Sequence, residues 1–366
     1  MKFFTPIIVY ILLGLSLTSC DNRTFELNQI AVDSTKIDSL MAPYNDGFVP
    51  GASLLIVQNG TILYAKGYGL AKLDNPALVV PETNFRLASI SKQFTAACIM
   101  LLKSDGYLNY DQVLTNFFPD FPDYGQYITI RHLLHHTSGL KDYFSLIPDN
   151  VSEQVHDNDV LQLMMEQTGT YFTPGTQYQY SNSGYAILAM IVEAVSGQSY
   201  ANFIYEYIFS PLGMDETIAF EDGISIIHNR AYGYNILGEE FVLGDQSITS
   251  AVLGDGGIYS SINDMFKWDQ VLYTNILLHQ NDILEAMTSG TLTNGNKTGY
   301  GFGWVIDEYR NRHRVGHTGS TQGFRNVYHR YPEESLSIVI LTNRNFGIPK
   351  LIANEVADIL FNAKTL

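Results

Sequence analysis

Strand-like patterns at both ends of this chain, with helix-like patterns between them, restrict its fold more than any other feature. Ala52-Ser53-Leu54-Leu55-Ile56-Val57 and Thr61-Ile62-Leu63-Tyr64-Ala65 flank Asn59-Gly60. Asn-Gly between two such runs is a strong short-range signal for a β-hairpin. Strand patterns return only late, at residues 302–307, 313–317, 324–331 and 336–342. In between, apolar spacing predicts helices over 157–167, over 183–196 with Gly197 as the stop, over 200–209 before Pro211, and near 261–273. A short amphipathic helix at about 30–42 and a last one at about 349–362 complete the pattern. One sheet must then draw on both ends of the chain. The expected class is α+β: an antiparallel sheet flanked by helices, built from about 35–106 and 290–366, with an inserted all-α lobe at about 107–289. A cleft between the two parts is the natural place for a site.

With 366 residues and 46% apolar content, the chain can form a well-packed core. Its first residues belong to a different class. Lys2 precedes the apolar run from Ile7 to Leu15, and Leu17-Thr18-Ser19-Cys20 follows. Residues 1–19 read as a signal peptide, too short for a stable membrane span. The Leu-Thr-Ser-Cys ending resembles a bacterial lipobox, in which the signal is cut before the cysteine and Cys20 carries lipid. Residues 20–34 then form a tether, and the expected location is the cell envelope. Cys98 is left without a disulfide partner and is expected as a buried small hydrophobe. The formal charge of −16, from 21 basic and 37 acidic residues, excludes nucleic acid and anionic lipid as partners recognised through charge. Membrane attachment would run through the N-terminal lipid alone.

Ser89-Ile90-Ser91-Lys92 precedes an apolar, helix-forming run, Gln93 to Leu102. On one helix, serine and lysine at i and i+3 share a face. Ser89 is expected in the first turn, where free N–H groups favour developing negative charge. A desolvated Lys92 would have a lowered pKa and hold Ser89 ready to lose its proton. The spacing occurs again at Ser138-Gly139-Leu140-Lys141, but Gly139 makes that copy a turn. A serine hydrolase also needs a group to pass the proton on and donors for the oxyanion. Tyr180-Ser181-Asn182 lies in a turn-rich loop entering an apolar helix. His317-Thr318-Gly319 ends a strand pattern and continues as Ser320. Lys297-Thr298-Gly299 reads instead as the turn before the Trp304 strand.

In that order, Ser89-Ile90-Ser91-Lys92, Tyr180-Ser181-Asn182 and His317-Thr318-Gly319 resemble the three motifs of the serine β-lactamase and penicillin-binding family, above all its class C β-lactamase and DD-peptidase branch. Phe85-Arg86-Leu87-Ala88, the stretch from Leu133 to Leu140, Gly254-Asp255-Gly256-Gly257 and Tyr300-Gly301-Phe302-Gly303-Trp304 add to the resemblance, which spans about 35–360. It implies a β-lactamase/transpeptidase-like fold and a serine hydrolase acting on an ester, amide or β-lactam, without metal or organic cofactor. Ser89 would be the acylated nucleophile, with Lys92 and Tyr180 as the proton-transfer network. Asn182 would bind the substrate amide and orient Lys92, while His317, Thr318, Gly319 and Ser320 would line the substrate. The N–H groups of Ser89 and Ser320 would form the oxyanion hole, each donor worth about 3 kcal/mol in comparable sites. The family's third motif ordinarily begins with lysine. His317 is expected to be only partly charged near neutral pH and to hold a substrate carboxylate less firmly.

Three other readings follow from the residues. DD-peptidase or D-aminopeptidase action on peptidoglycan-like peptides is the alternative within enzymes. A binding or sensor protein that acylates without turnover is the alternative outside them. His132, His135 and His136 have i, i+3, i+4 spacing, but no further zinc ligand motif adjoins them, so packing or capping is expected. The sequence leaves the oligomeric state open.

Overall fold

The computed structural model describes residues 32–362. The signal segment, Cys20 and nearly all of the tether lie outside these. Strands β1 (Ala52–Gln58) and β2 (Thr61–Tyr68) meet at Asn59-Gly60, whose φ values of 50° and 73° are the left-handed pair of a type I′ turn. β3 (Val305–Tyr309), β4 (Arg312–Thr321), β5 (Phe324–Tyr331) and β6 (Leu336–Thr342) come from the other end of the chain. The six form one sheet in the order β3-β4-β5-β6-β1-β2, and Ala52 stands opposite Thr342 where the two ends meet. Each neighbouring pair is antiparallel.

The helices that support the site are α1 (Ser34–Met41), α2 (Lys92–Ser104), α3 (Asp157–Met165), α4 (Asn182–Ser196), α5 (Ile262–Val271) and α6 (Pro349–Asn362). All seven β1 residues are buried, because both faces of the sheet are covered. Leu54, Ile56, Ile338 and Ile340 pack with Ile37 and Met41 of α1 and Val356 and Leu360 of α6. Leu55, Val57, Val339 and Leu341 face the main core, which takes in α2, α4 and α5. This explains the unbroken apolar run Leu54 to Val57, where a half-exposed strand would alternate. α4 ends as expected, with Gly197 in the left-handed region at φ 71°.

Some elements differ from expectation. The segment 200–209 is not one α-helix: Tyr200–Ile204 is α-helical and Tyr205–Phe209 is π-helical. The middle of the chain is not purely helical either. Ile258–Ser260 pairs with Phe85–Arg86 and Ile218–Ala219, and Tyr234–Leu237 forms a hairpin with Glu240–Leu243. β3 begins at Val305, later than the apolar pattern, because Phe302 instead donates its N–H to Ala286 O at 2.8 Å and Gly303 lies against the start of α2.

Candidate active site

Ser89 lies just ahead of the expected helix turn, in a 3-10 turn at Ala88–Ser91, and α2 begins at Lys92. Side chains at i and i+3 eclipse in such a turn, so Lys92 stands directly over Ser89, with Nζ 3.2 Å from Oγ. Ala88 enters the turn at φ 51°, a left-handed conformation that L residues seldom adopt. Ser91 faces away and accepts the Ile258 N–H at 3.2 Å.

Lys92 is fully buried and its three protons are all taken: by Ser89 Oγ, by Asn182 Oδ1 at 2.8 Å and by Asp255 O at 2.8 Å. Burial pushes its pKa down to about 8, against the pull of Asp255 and Asp142. Asn182 reaches it because Ser181 caps α4, accepting the Gly184 N–H, and so places residue 182 at the first helical position. The Asp255 carbonyl is fixed from the far side: Asp157 of α3 accepts the N–H groups of Leu253 and Gly254 at 2.7 and 2.9 Å. Gly254 is glycine because a Cβ there would sit 2.4 Å from Tyr185 O of α4.

The Tyr180 ring lies 5.0 Å below the Lys92 ammonium. Its buried hydroxyl makes no hydrogen bond of normal geometry among the described residues. Burial raises its pKa, and the adjacent Ser89 hydroxyl opposes that rise, so Tyr180 is a neutral phenol at working pH. His136 stacks on it at 4.2 Å and accepts the Ser181 N–H at 3.1 Å. Of the other histidines in that run, His135 Nδ1 bonds Tyr300 O at 2.9 Å and His132 Nδ1 accepts from Thr129 N–H. Each imidazole thus has its own partner. Among the described residues no three His, Cys, Asp or Glu side chains converge as metal ligands.

β4 brings up the third motif. A Cβ on Gly319 would lie 2.1 Å from Leu87 O, so glycine is what allows the strand to close on the nucleophile turn. β3 pairs with β4 only as far as Gly316, which leaves His317 to Thr321 without a strand on that side. Thr318 and Ser320 are exposed, and Ser320 shares a cavity with Ser89 and Asn182. His317 departs from expectation. It is buried, and its ring lies 6.1 Å from Tyr180. The Thr318 carbonyl at 2.6 Å can only accept, so Nδ1 carries the proton, and Nε2 accepts from Tyr300 Oη at 2.9 Å. Burial and the nearby Lys92 charge push its pKa down to about 3. The expected partial charge near neutral pH is therefore corrected to a neutral ring, engaged at both nitrogens.

The two decoys fall elsewhere. Ser138 Oγ accepts the Leu140 N–H while Lys141 reaches Gln167, so that copy does not bring its serine and lysine together. Lys297 is exposed and bonds Thr291 Oγ1. Sequence reasoning missed Tyr143, His136, Tyr300 and the Asp255 side chain. His136, Asp255 and Tyr300 fall in segments that add to the family resemblance, whereas nothing in the sequence singled out Tyr143.

The sequence profile of the family described as beta-lactamase matches residues 37–362. Penicillin-binding protein 4* of Bacillus subtilis is 36% identical over 307 residues, covering 80% of this chain and 68% of that protein. Protein flp of Staphylococcus aureus is 28% identical, covering 84% of this chain and 62% of its own length. The chain thus spans about two thirds of these relatives. Among solved structures, the octameric penicillin-binding protein homologue from Pyrococcus abyssi superimposes with a TM-score of 0.78 at 28% identity, covering 91% of this chain and 78% of that one. D-amino acid amidase from Ochrobactrum anthropi SV3 shares the fold, with a TM-score of 0.77 at 23% identity over 90% of this chain and 98% of that one. The chain belongs to the beta-lactamase family and is a serine hydrolase of that family.

Proposed function

We propose that this hydrolase works through an acyl ester on Ser89, formed from an amide, ester or β-lactam carbonyl. The observation that carries this reading is the Lys92 ammonium, buried over Ser89 and held by three acceptors with its pKa lowered to about 8. In its neutral form Lys92 takes the Ser89 proton as Oγ bonds to the carbonyl carbon. The carbonyl oxygen gains the negative charge and is received by the N–H groups of Ser89 and Ser320. Collapse breaks the bond to the amine or alcohol, which leaves with the proton passed from Lys92 through the Tyr180 phenol. Water then attacks the acyl ester, a proton returns to Ser89 Oγ, and the carboxylic acid departs.

Thr318 and Gly319 offer backbone along which the acyl group can lie, and Asn182 the amide contact. His317 acts in this scheme by holding Tyr300. The relationship to penicillin-binding protein 4* supports an acyl-serine route. Intact-mass measurement after fluorophosphonate treatment tests it: one adduct on the wild type and none on Ser89→Ala is expected, and a persisting adduct sinks the assignment. Steady release of p-nitrophenol from p-nitrophenyl acetate marks an enzyme with turnover, whereas a single stoichiometric burst marks a sensor. We place the protein at the bacterial cell envelope, lipid-anchored through Cys20, on the strength of Leu17-Thr18-Ser19-Cys20.

A further inference from the structure

Beside Ser89 is a cavity of about 60 Å3, lined among others by Tyr143, Asn182, Asp255 and Ser320. Asp255 is only 7% exposed, and it opens on this cavity. Its Oδ2 accepts from Tyr143 Oη at 2.9 Å. Its Oδ1 accepts no hydrogen bond, and no Lys or Arg nitrogen lies within ion-pair distance, among the described residues.

The two nearest cations are fully engaged elsewhere. Lys92 spends its three protons on Ser89, Asn182 and the Asp255 backbone carbonyl, not on the carboxyl. Arg86 donates to Gly256 O, Gln246 Oε1 and Ser250 O. A buried carboxyl without a counter-ion is costly unless something pairs with it. Burial accordingly drives its pKa up, with the Lys92 charge opposing. Asp142, whose Oδ1 caps Phe144 N, adds a second negative charge that is felt at Lys92, Tyr180 and Asp255. His317 contributes no positive charge that would attract a substrate carboxylate.

We propose that the Asp255 carboxylate is the subsite for an ammonium group on the acyl half of the substrate, so that this hydrolase takes aminoacyl amides or esters with a free α-amino group over N-acylated or carboxylate-bearing ones. This rests on the acyl-Ser89 reading, which places the carbon bearing that amine next to the carbonyl under attack. Tyr143 orients the carboxylate through Oδ2 and leaves Oδ1 for the incoming N–H groups.

Calorimetric titration of the Ser89→Ala protein, where binding proceeds without hydrolysis, tests the subsite with alanine p-nitroanilide and N-acetylalanine p-nitroanilide in both enantiomers. The free amine of at least one enantiomer is expected to bind about tenfold or more tighter than its N-acetyl counterpart, the effect of one charge-assisted hydrogen bond. Adding Asp255→Asn should bring the two within about twofold. Equal binding in the Ser89→Ala protein, or a preference that survives Asp255→Asn, overturns the proposal. Tyr143→Phe is the second variant: it keeps the carboxylate, frees Oδ2 and should retain or widen the preference, and losing the preference there overturns it too. A wild type that takes no fluorophosphonate on Ser89 would instead sink the nucleophile assignment, so the two failures are separable.

Discussion

Lys92 sits at about 8 instead of its ordinary 10.5 because desolvation outweighs two nearby carboxylates. If the neutral amine is the base, kcat/KM should rise with pH through about 8, as a pH-rate profile will show. A profile flat through that region would remove Lys92 from the role. His317 has left its titration range at about 3, so it should add no second step between pH 6 and 8. The same burial acts on stability with a definite sign. Below pH 8 both folded and unfolded chains hold the Lys92 proton, and the folded state carries a net penalty of about 3 kcal/mol for keeping it charged. Between about 8 and 10.5 the folded state releases the proton first, so this penalty fades as pH rises. Relative to Lys92→Met, the wild type should gain stability over that window in denaturant titrations. Residues with motif spacing were legible at this scale. The pairing of Asp255 with Tyr143 was not, because the two meet across 112 positions of sequence and Tyr143 lies in no pattern of its own.

Turns and strands set the distances that those side chains use. At Gly319 a Cβ would sit 2.1 Å from Leu87 O, at the nucleophile turn itself. Gly319→Ala should push β4 from the nucleophile turn and lower kcat by about 100-fold, the scale of an ångström-sized misplacement. Thermal melting should show the sheet still folded, since β4 stays paired to β5 along His317 to Thr321. A Gly319→Ala enzyme with full kcat would mean that β4 is not part of the site. Elements were legible in the sequence where local chemistry decides them: Asn59-Gly60 made its hairpin, and Gly197 ended α4. They were less legible where tertiary contacts decide. The start of β3 moved because Gly303 and Phe302 pack elsewhere, and the nucleophile turn became 3-10 because Ala88 enters it left-handed.

The whole molecule is an acidic body that begins, among the described residues, next to α1, on the sheet face away from Ser89's helix. Its charge of −16 gives it no attraction to an anionic bilayer. If the proposed lipid on Cys20 is its anchor, Cys20→Ser should move the protein from the membrane fraction to the soluble one on fractionation; unchanged partition would remove that anchor. The two-ended sheet was legible in the sequence because strand patterns cluster at the termini, but the short strands of the middle, two to four residues each, are below what periodicity can register. That sheet also governs when the molecule can first act. β1 finds β6 only after residues 336–342 exist, and a lone two-stranded hairpin is marginal in water. While the chain is still being made, Ser89 and Lys92 have no β4 beside them. A nascent chain is therefore silent until its last strands arrive.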